Sequence, residues 1–324
     1  MKELKQLWTS LPLKGPFAVL FVAWCAVFHW LGNSGLGYIK TDSLFEWLNE
    51  WYQMKSPVET GDELCPLAPF VVAMVVYLKR EGFAAIAKRP WPPALLILGV
   101  GGALHVLGYL AQQTRVSAGA FLVGGFGLMG LTWGVAWLRA TAFPWFVMTF
   151  AIPVGIYMDS LTFSLRLWST ILSTAVCRGL LGIDLIRSQT SVMLAGTARH
   201  PGFHFEVAAA CSGMRSVTAV IFISVVYAYL NYRAPWRRIA IVLIGIPLAL
   251  FGNVVRLCSV FIAGDAFGEN AGKFIETKMG FLTWIVALIG LFQFGRLLRE
   301  TSPGGGPRTE PDAPSLKPAT APAQ

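Results

Sequence analysis

Charge is scarce in this chain. Lys, Arg, Asp and Glu make up 13% of its 324 residues, about half the share of an ordinary soluble domain. Hydrophobic residues make up 55% and mean hydropathy is positive. So little charge cannot cover a water-exposed surface, which excludes a soluble globule and implies a polytopic membrane protein. The formal net charge of +9 does not point to nucleic acid, because no basic stripe with interleaved aromatics occurs. Five cysteines come without paired spacing, so neither a disulfide framework nor a zinc site is expected. No small-residue cleavage site follows a short apolar core at the N-terminus, so the first apolar run is expected to be a retained anchor.

What is there is a series of apolar runs whose loops differ in charge. Residues 1–15 are a short basic segment with Lys2, Lys5 and Lys14. The loop 33–64 is acidic (Asp42, Glu46, Glu50, Glu59, Asp62, Glu63) and carries Trp47 and Trp51, as expected of an outer loop lying partly at the interface. Spans are expected over about 16–32, 65–78, 92–111, 117–138, 143–157, 207–230, 239–263 and 280–294. Inner ends are marked by Lys79, Arg80, Lys88 and Arg89, by Arg139, by Arg233, Arg237 and Arg238, and by Arg296 and Arg299, following the positive-inside rule. Gly130 and Gly134 form a small-xxx-small step expected to let helices approach.

Residues 159–184 carry apolar positions interrupted by Thr162, Ser164, Arg166, Ser169, Thr170, Ser173, Thr174 and Arg178, a polar stripe on a helix. One more crossing here would put the Arg233–Arg238 hairpin outside, so an amphipathic helix at the outer interface is expected. Residues 186–206 read as an extracytoplasmic loop. The expected fold is all-α: eight transmembrane helices plus one outer interfacial helix, both termini cytoplasmic. It divides into a basic N-terminus (1–15), helices one to four (16–142), a catalytic membrane part (143–298) and a tail (299–324) too poor in apolar residues to pack.

The chemistry gathers at one depth. In the run Ala209 to Ser216, Cys211 and Arg215 stand at the mouth of the sixth span, where a charge is costly and marks a site. A thiol beside positive charge is the kind that becomes a nucleophilic thiolate. Cys211 lies some 22 positions before Arg233, roughly the thickness of the hydrocarbon core at ~1.5 Å per residue. Arg256, 18 positions past Arg238, lies ~27 Å away by the same rise. Three helix ends thus bring Cys211 with Arg215, Asn253 with Arg256, and Glu276 or Lys278 to the outer edge.

The run AACSGMRS, the RAPWRR hairpin, the GNVVRL segment and the polar approach to MGF resemble the exosortase/archaeosortase family of membrane transpeptidases, as do FAIPVGIYMDSLTF and LLGIDLI upstream. The resemblance covers about 144–297. It implies a bacterial cell (inner) membrane enzyme, active on the outer face, that cleaves C-terminal sorting signals made of a motif, an apolar helix and a basic end. The secreted protein would then pass to another anchor, a membrane lipid or an extracellular polymer. By that resemblance Cys211 is the nucleophile, within the Cys211-Ser212-Gly213 run, and Arg256 the basic partner. The third position, usually His, is here Glu276, which needs a raised pKa to shuttle protons at neutral pH.

The residues themselves leave alternatives open. Attack by a Cys211 thiolate would give a thioester. Arg256 can lower the thiol pKa or hold an oxyanion but is a poor base; it could instead be a snorkelling anchor. Arg215, one turn inward from Cys211, can hold the thiolate or pair with Glu206 or Glu276. Lys278 and His204 are further candidates for the third role. His29 and His105 read as core residues, and Cys65 and Cys177 could bridge in an oxidising compartment. No cofactor, metal or nucleic acid is expected. A catalytically impaired relative that binds the same tails, or a transporter, would be the rival functions.

Overall fold

The computed structural model describes residues 9, 11–54, 62–155, 159–195, 202–206, 214–278 and 280–298, with main chain alone at 63, 159–162, 203–206 and 214–216. The described residues are mainly helical. In chain order the helices are α1 (Lys14–Trp30), α2 (Leu44–Gln53), α3 (Ala68–Leu78), α4 (Arg80–Ala84), α5 (Ala94–Leu110), α6 (Thr114–Trp133), α7 (Val135–Met148), α8 (Asp159–Leu181), α9 (Met214–Asn231), α10 (Pro235–Phe267), α11 (Glu269–Lys278) and α12 (Phe281–Leu297). Short 3-10 turns occupy Asp62–Leu67 and Thr149–Ala151. Helices α6 and α10 are each long and apolar enough to cross a membrane, and α11 with α12, bent by 55°, pass that test together. The other apolar helices are shorter.

Packing is inside-out relative to a soluble protein. Leu95, Leu96, Leu107 and Leu110 of α5 point outward, as do Ile239, Leu243 and Phe251 of α10. Small residues face inward: a Cβ on Gly101 would meet the Gly124 nitrogen at 2.6 Å, and one on Gly127 would meet that of Leu98 at 2.6 Å. Helices α5 and α6 therefore run antiparallel in backbone contact, as helices do where lipid offers no hydrophobic drive and close packing must supply the attraction. Trp24 of α1 seals the pair, donating from Nε1 to the Phe121 carbonyl at 3.1 Å.

The expected fourth span is cut short. Residue 134 is not a step on a helix: Gly134 has φ +90°, and a Cβ there would lie 1.9 Å from the Arg89 carbonyl oxygen. The chain reverses at this residue, before Arg139, and α7 folds back so that Trp145 Nε1 reaches the Leu122 carbonyl at 2.8 Å. Gly130 does serve close approach, against Ala94.

The acidic loop holds a helix. Ser43 caps α2, accepting from the Glu46 amide at 3.3 Å, and Glu46 takes the Thr41 hydroxyl at 2.6 Å, a capping arrangement legible as Ser-x-x-Glu. The surrounding polar groups are tied together. Thr114 donates to Asn33 at 2.5 Å and Trp51 to Asp62 at 3.2 Å; the Gly155 amide donates to Asp62 at 2.9 Å. Tyr52 donates to the Ala151 carbonyl. Burial, then the neighbouring Cys65 and Asp62, pushes the Tyr52 phenol up. Of the two histidines read as core residues, His105 is buried and meets Ser117 (3.3 Å), whereas His29 is exposed at the end of α1 and meets Ser43 (3.0 Å).

In the C-terminal half α9, α10 and α12 pack antiparallel. Val217, Ala249 and Ala287 share one core, and Tyr232, Ile241 and Leu291 another. Helix α8 runs parallel to α10, with Leu165 near Ala249 and Cys177 near Phe261. Four residues of its polar stripe face protein, while Ser164 and Arg178 are exposed. Ser169, Thr170, Ser173 and Thr174 are buried while Trp168, Leu172 and Leu180 are exposed. Each of the four hydroxyls donates to a carbonyl of its own helix, so these residues are buried without loss and act as small packing groups.

Residues 186–206, read as a loop, contribute to a three-stranded antiparallel sheet, β1 (Leu185–Ser188), β2 (Ser191–Leu194) and β3 (Phe203–Glu206). Its Leu185, Val192 and Leu194 pack on Leu257, Val260 and Phe261 of α10. The alternation is too short to stand out in sequence and is stabilised by that helix face. The possible Cys65–Cys177 bridge is absent. Cys65 is a free thiol 4.0 Å from Asp62, and Cys177 packs in one cluster with Cys258, whose thiol donates to the Ser173 carbonyl at 3.8 Å, because the parallel course of α8 and α10 sets them side by side.

Candidate active site

The sequence GNVVRLC places Gly252, Asn253 and Arg256 on one face of α10. Gly252 permits the crossing of α12: a Cβ there would sit 2.5 Å from the Thr283 carbonyl oxygen. Its role was legible only as a glycine before Asn253. Beside it Asn253 is 1% and Arg256 6% exposed. A guanidinium so buried is no snorkelling anchor; its head is held inside protein.

Its holder comes from the next turn of chain. Helix α10 ends at Gly268, with φ +88°, and α11 folds back along it, so that a Cβ on Gly272 would meet the Gly264 Cα at 3.5 Å. Eight residues past that reversal Glu276 arrives opposite Arg256, and Arg256 Nη2 donates to the Glu276 carbonyl at 2.8 Å. The contact is to main chain. Lys273 is held above the ordinary lysine value, first by its hydrogen bond with Glu269 (2.5 Å), with a smaller contribution from Glu276. Lys278 is exposed at the end of α11.

The same level of α10 receives the start of α9. Val217 packs beside Ala249, so Met214, and with it the backbone of Arg215 in the first turn, stands next to the Asn253–Arg256 segment. Cys211, Ser212 and Gly213 lie outside the described residues. The chain ends flanking them are both held here: β3 finishes at Glu206 on the sheet that packs against α10, and α9 begins at Met214. His204 stands in β3 opposite Met193 in register. Among the described residues, no three His, Cys, Asp or Glu side chains gather as metal ligands.

A buried, permanently charged guanidinium with a fixed orientation suits stabilisation of a thiolate or an oxyanion, because both carry charge that low-dielectric surroundings make costly without a partner. It does not suit proton abstraction.

Neither a curated protein nor a solved structure matches the chain significantly. The family model described as transmembrane exosortase matches residues 51–293, most of the chain, including Cys211, Arg215, Asn253, Arg256 and Glu276. The match begins in the acidic loop, well before the 144–297 stretch that carries the sequence resemblance. A helical membrane protein whose buried Arg256 lies beside the start of α9 thus belongs to the transmembrane exosortase family, which implies a membrane peptidase or transpeptidase.

Proposed function

We propose that the protein is a cysteine-type membrane transpeptidase that cleaves C-terminal sorting signals of secreted proteins on the outer face of a bacterial cell membrane. One observation carries the reading: the buried Arg256, oriented by the Glu276 main chain at 2.8 Å, lies at the level where the chain leaves the sheet and enters α9, and Cys211 is within that seven-residue connection.

The Cys211 thiolate attacks the scissile carbonyl, and the Arg256 guanidinium neutralises the oxygen as it becomes anionic. Collapse breaks the C–N bond as the protonated Glu276 carboxyl gives the leaving amine a proton, and a thioester remains. An acceptor nucleophile, from a membrane lipid or an extracellular polymer, then takes the acyl group, returns a proton to that carboxylate and frees the thiol. Arg215 supports the thiolate from the first turn of α9, with Ser212, Gly213 and Asn253 as supporting residues. Glu276 takes the third catalytic position, with Lys278 or His204 as its substitutes.

The reading includes eight crossings with both termini cytoplasmic. The reading keeps α8 out of the count of crossings, because one more crossing would put the Arg233–Arg238 hairpin outside. Residues 1–15, 16–142, 143–298 and 299–324 are its parts. A non-catalytic relative that binds the same tails is the second reading, favoured by Glu at a position where the family usually has His. A transporter would gather polar groups at the midplane, whereas the charges described here lie toward the ends of the bundle.

Co-expression with secreted proteins bearing a motif-helix-basic tail tests the proposal. C-terminal processing is expected with the native chain and abolished, by about 10³-fold or more, in Cys211→Ala at equal protein level. Processing that survives Cys211→Ala would exclude the thiol mechanism, and labelling of the outer face by a thiol probe, lost in that variant, would count against the non-catalytic reading.

A further inference from the structure

At the opposite end of the bundle a second group of charges gathers around one aromatic ring. Lys79 follows α3, while Arg233 and Arg238 flank the turn between α9 and α10. The Lys79 ammonium and the Arg238 guanidinium each lie 5.2 Å from the centre of the Tyr229 ring. Phe143 of α7 stacks on that ring at 3.6 Å and 4°, and Arg238 Nε donates to the Tyr232 carbonyl at 2.7 Å, so the cations are built on a fixed platform. Burial, then the charges of Arg238 and Arg233, holds Lys79 below the ordinary lysine value. Among the described residues, no carboxylate pairs with Lys79 or Arg238; the ion pairs there are Arg80–Glu81 and Lys273–Glu269. Like charges held this close favour an anion between them.

An apolar groove leads away from the same place. Phe143, Phe146, Val225, Val242 and Leu243 line a space of about 280 Å³ between α7, α9 and α10, with Arg238 at one end. A single helical turn, a cylinder ~10 Å across and 5.4 Å high, fills roughly 400 Å³. A methylene chain fits where a helix does not.

We propose that this end of the protein binds one anionic phospholipid, its phosphate between Lys79 and Arg238 and an acyl chain lying in the groove against Val225, Val242 and Leu243. Positive charge at the mouth of an apolar groove between membrane helices is the chemistry that selects such lipids over zwitterionic ones. The proposal does not depend on the peptidase chemistry.

The test uses the purified full-length protein in neutral detergent, titrated with phosphatidylglycerol, with phosphatidylcholine or with inorganic phosphate, and read by native mass spectrometry and by melting temperature. Phosphatidylglycerol is expected to remain bound one per protein and to raise the melting temperature by about 3–6 °C, with no such rise from the other two. Lys79→Gln with Arg238→Gln should weaken binding roughly 30-fold, about fivefold per charge. Leu243→Trp, at an exposed position lining the groove, should weaken binding while leaving both cations in place. Equal retention of phosphatidylcholine, an equal rise with inorganic phosphate, or unchanged binding in both variants would overturn the proposal.

Discussion

Arg115 and Arg256 each donate to one carbonyl from another part of the chain, yet they are built for different ends. Arg115 Nε donates to Pro153 at 2.5 Å, and its guanidinium lies 4.4 Å from the Trp51 ring and 5.5 Å from the Trp47 ring. Its flat face is covered by aromatics, the most favourable way to use an arginine as mortar. Neighbouring Asn33, Asp62 and Tyr52 are likewise tied in, to Thr114, to Trp51 and to the Ala151 carbonyl respectively. Arg256 is anchored by the main chain of a helix that folds back over it. The first arrangement joins the N-terminal helices. The second holds a buried charge on α10 beside the start of α9 and the end of α11.

That contrast can be broken most severely at Arg256. Arg256→Ala is expected to cut processing by about 100-fold or more without loss of folded protein. Arg256→Lys should restore little, because an ammonium cannot both hold the Glu276 carbonyl and present a second donor in the guanidinium's fixed plane. Assays of tail cleavage at matched expression decide it; activity within a few-fold of native would make Arg256 as structural as Arg115.

Arg115→Ala should have the opposite profile. Loss of two ring contacts and a charge-assisted hydrogen bond is expected to lower stability by about 2–3 kcal/mol, read as a fall in melting temperature, with turnover per folded molecule retained. A smaller effect sharpens the role of Glu276. Glu276→Gln keeps the carbonyl that anchors Arg256, so a loss of about tenfold is expected; a loss matching Arg256→Ala would assign the proton transfer to the carboxylate. Smallest of all is Lys79→Gln in neutral detergent. Folding holds the Lys79 ammonium below its ordinary value, so its charge is unfavourable in the folded state. That penalty applies at pH below the lowered value and vanishes as the ammonium deprotonates at higher pH. Removing the charge should raise the melting temperature by roughly 1–2 °C at neutral pH, and a fall would show the charge to be favourably paired.

Much of the scaffold was legible in the residues. Apolar runs and basic hairpins locate the helices. Less legible were three features settled by neighbours. Gly134 looks like a packing glycine by spacing, and only the Arg89 carbonyl beside it makes it a turn. The stripe from Ser169 to Thr174 looks water-facing by polarity, but hydroxyls that bond their own helix can face protein while Leu172 and Leu180 face outward. The strands at 185–206 alternate over only four residues each, and become a sheet because α10 offers Leu257, Val260 and Phe261 as a floor.

Composition and order of residues by themselves determined a helical membrane protein, its apolar segments and the residue types of the site, because hydropathy and charge are local properties that each segment carries alone. That Arg256 is buried, that its donor meets a carbonyl of Glu276 and not the carboxylate, and that α9, α10 and α12 bring Met214, Asn253 and Thr283 to one level were decided only by tertiary structure. The reason is physical: antiparallel helices take their relative heights from close contacts such as Gly252 on Thr283, and those contacts join residues far apart in the chain.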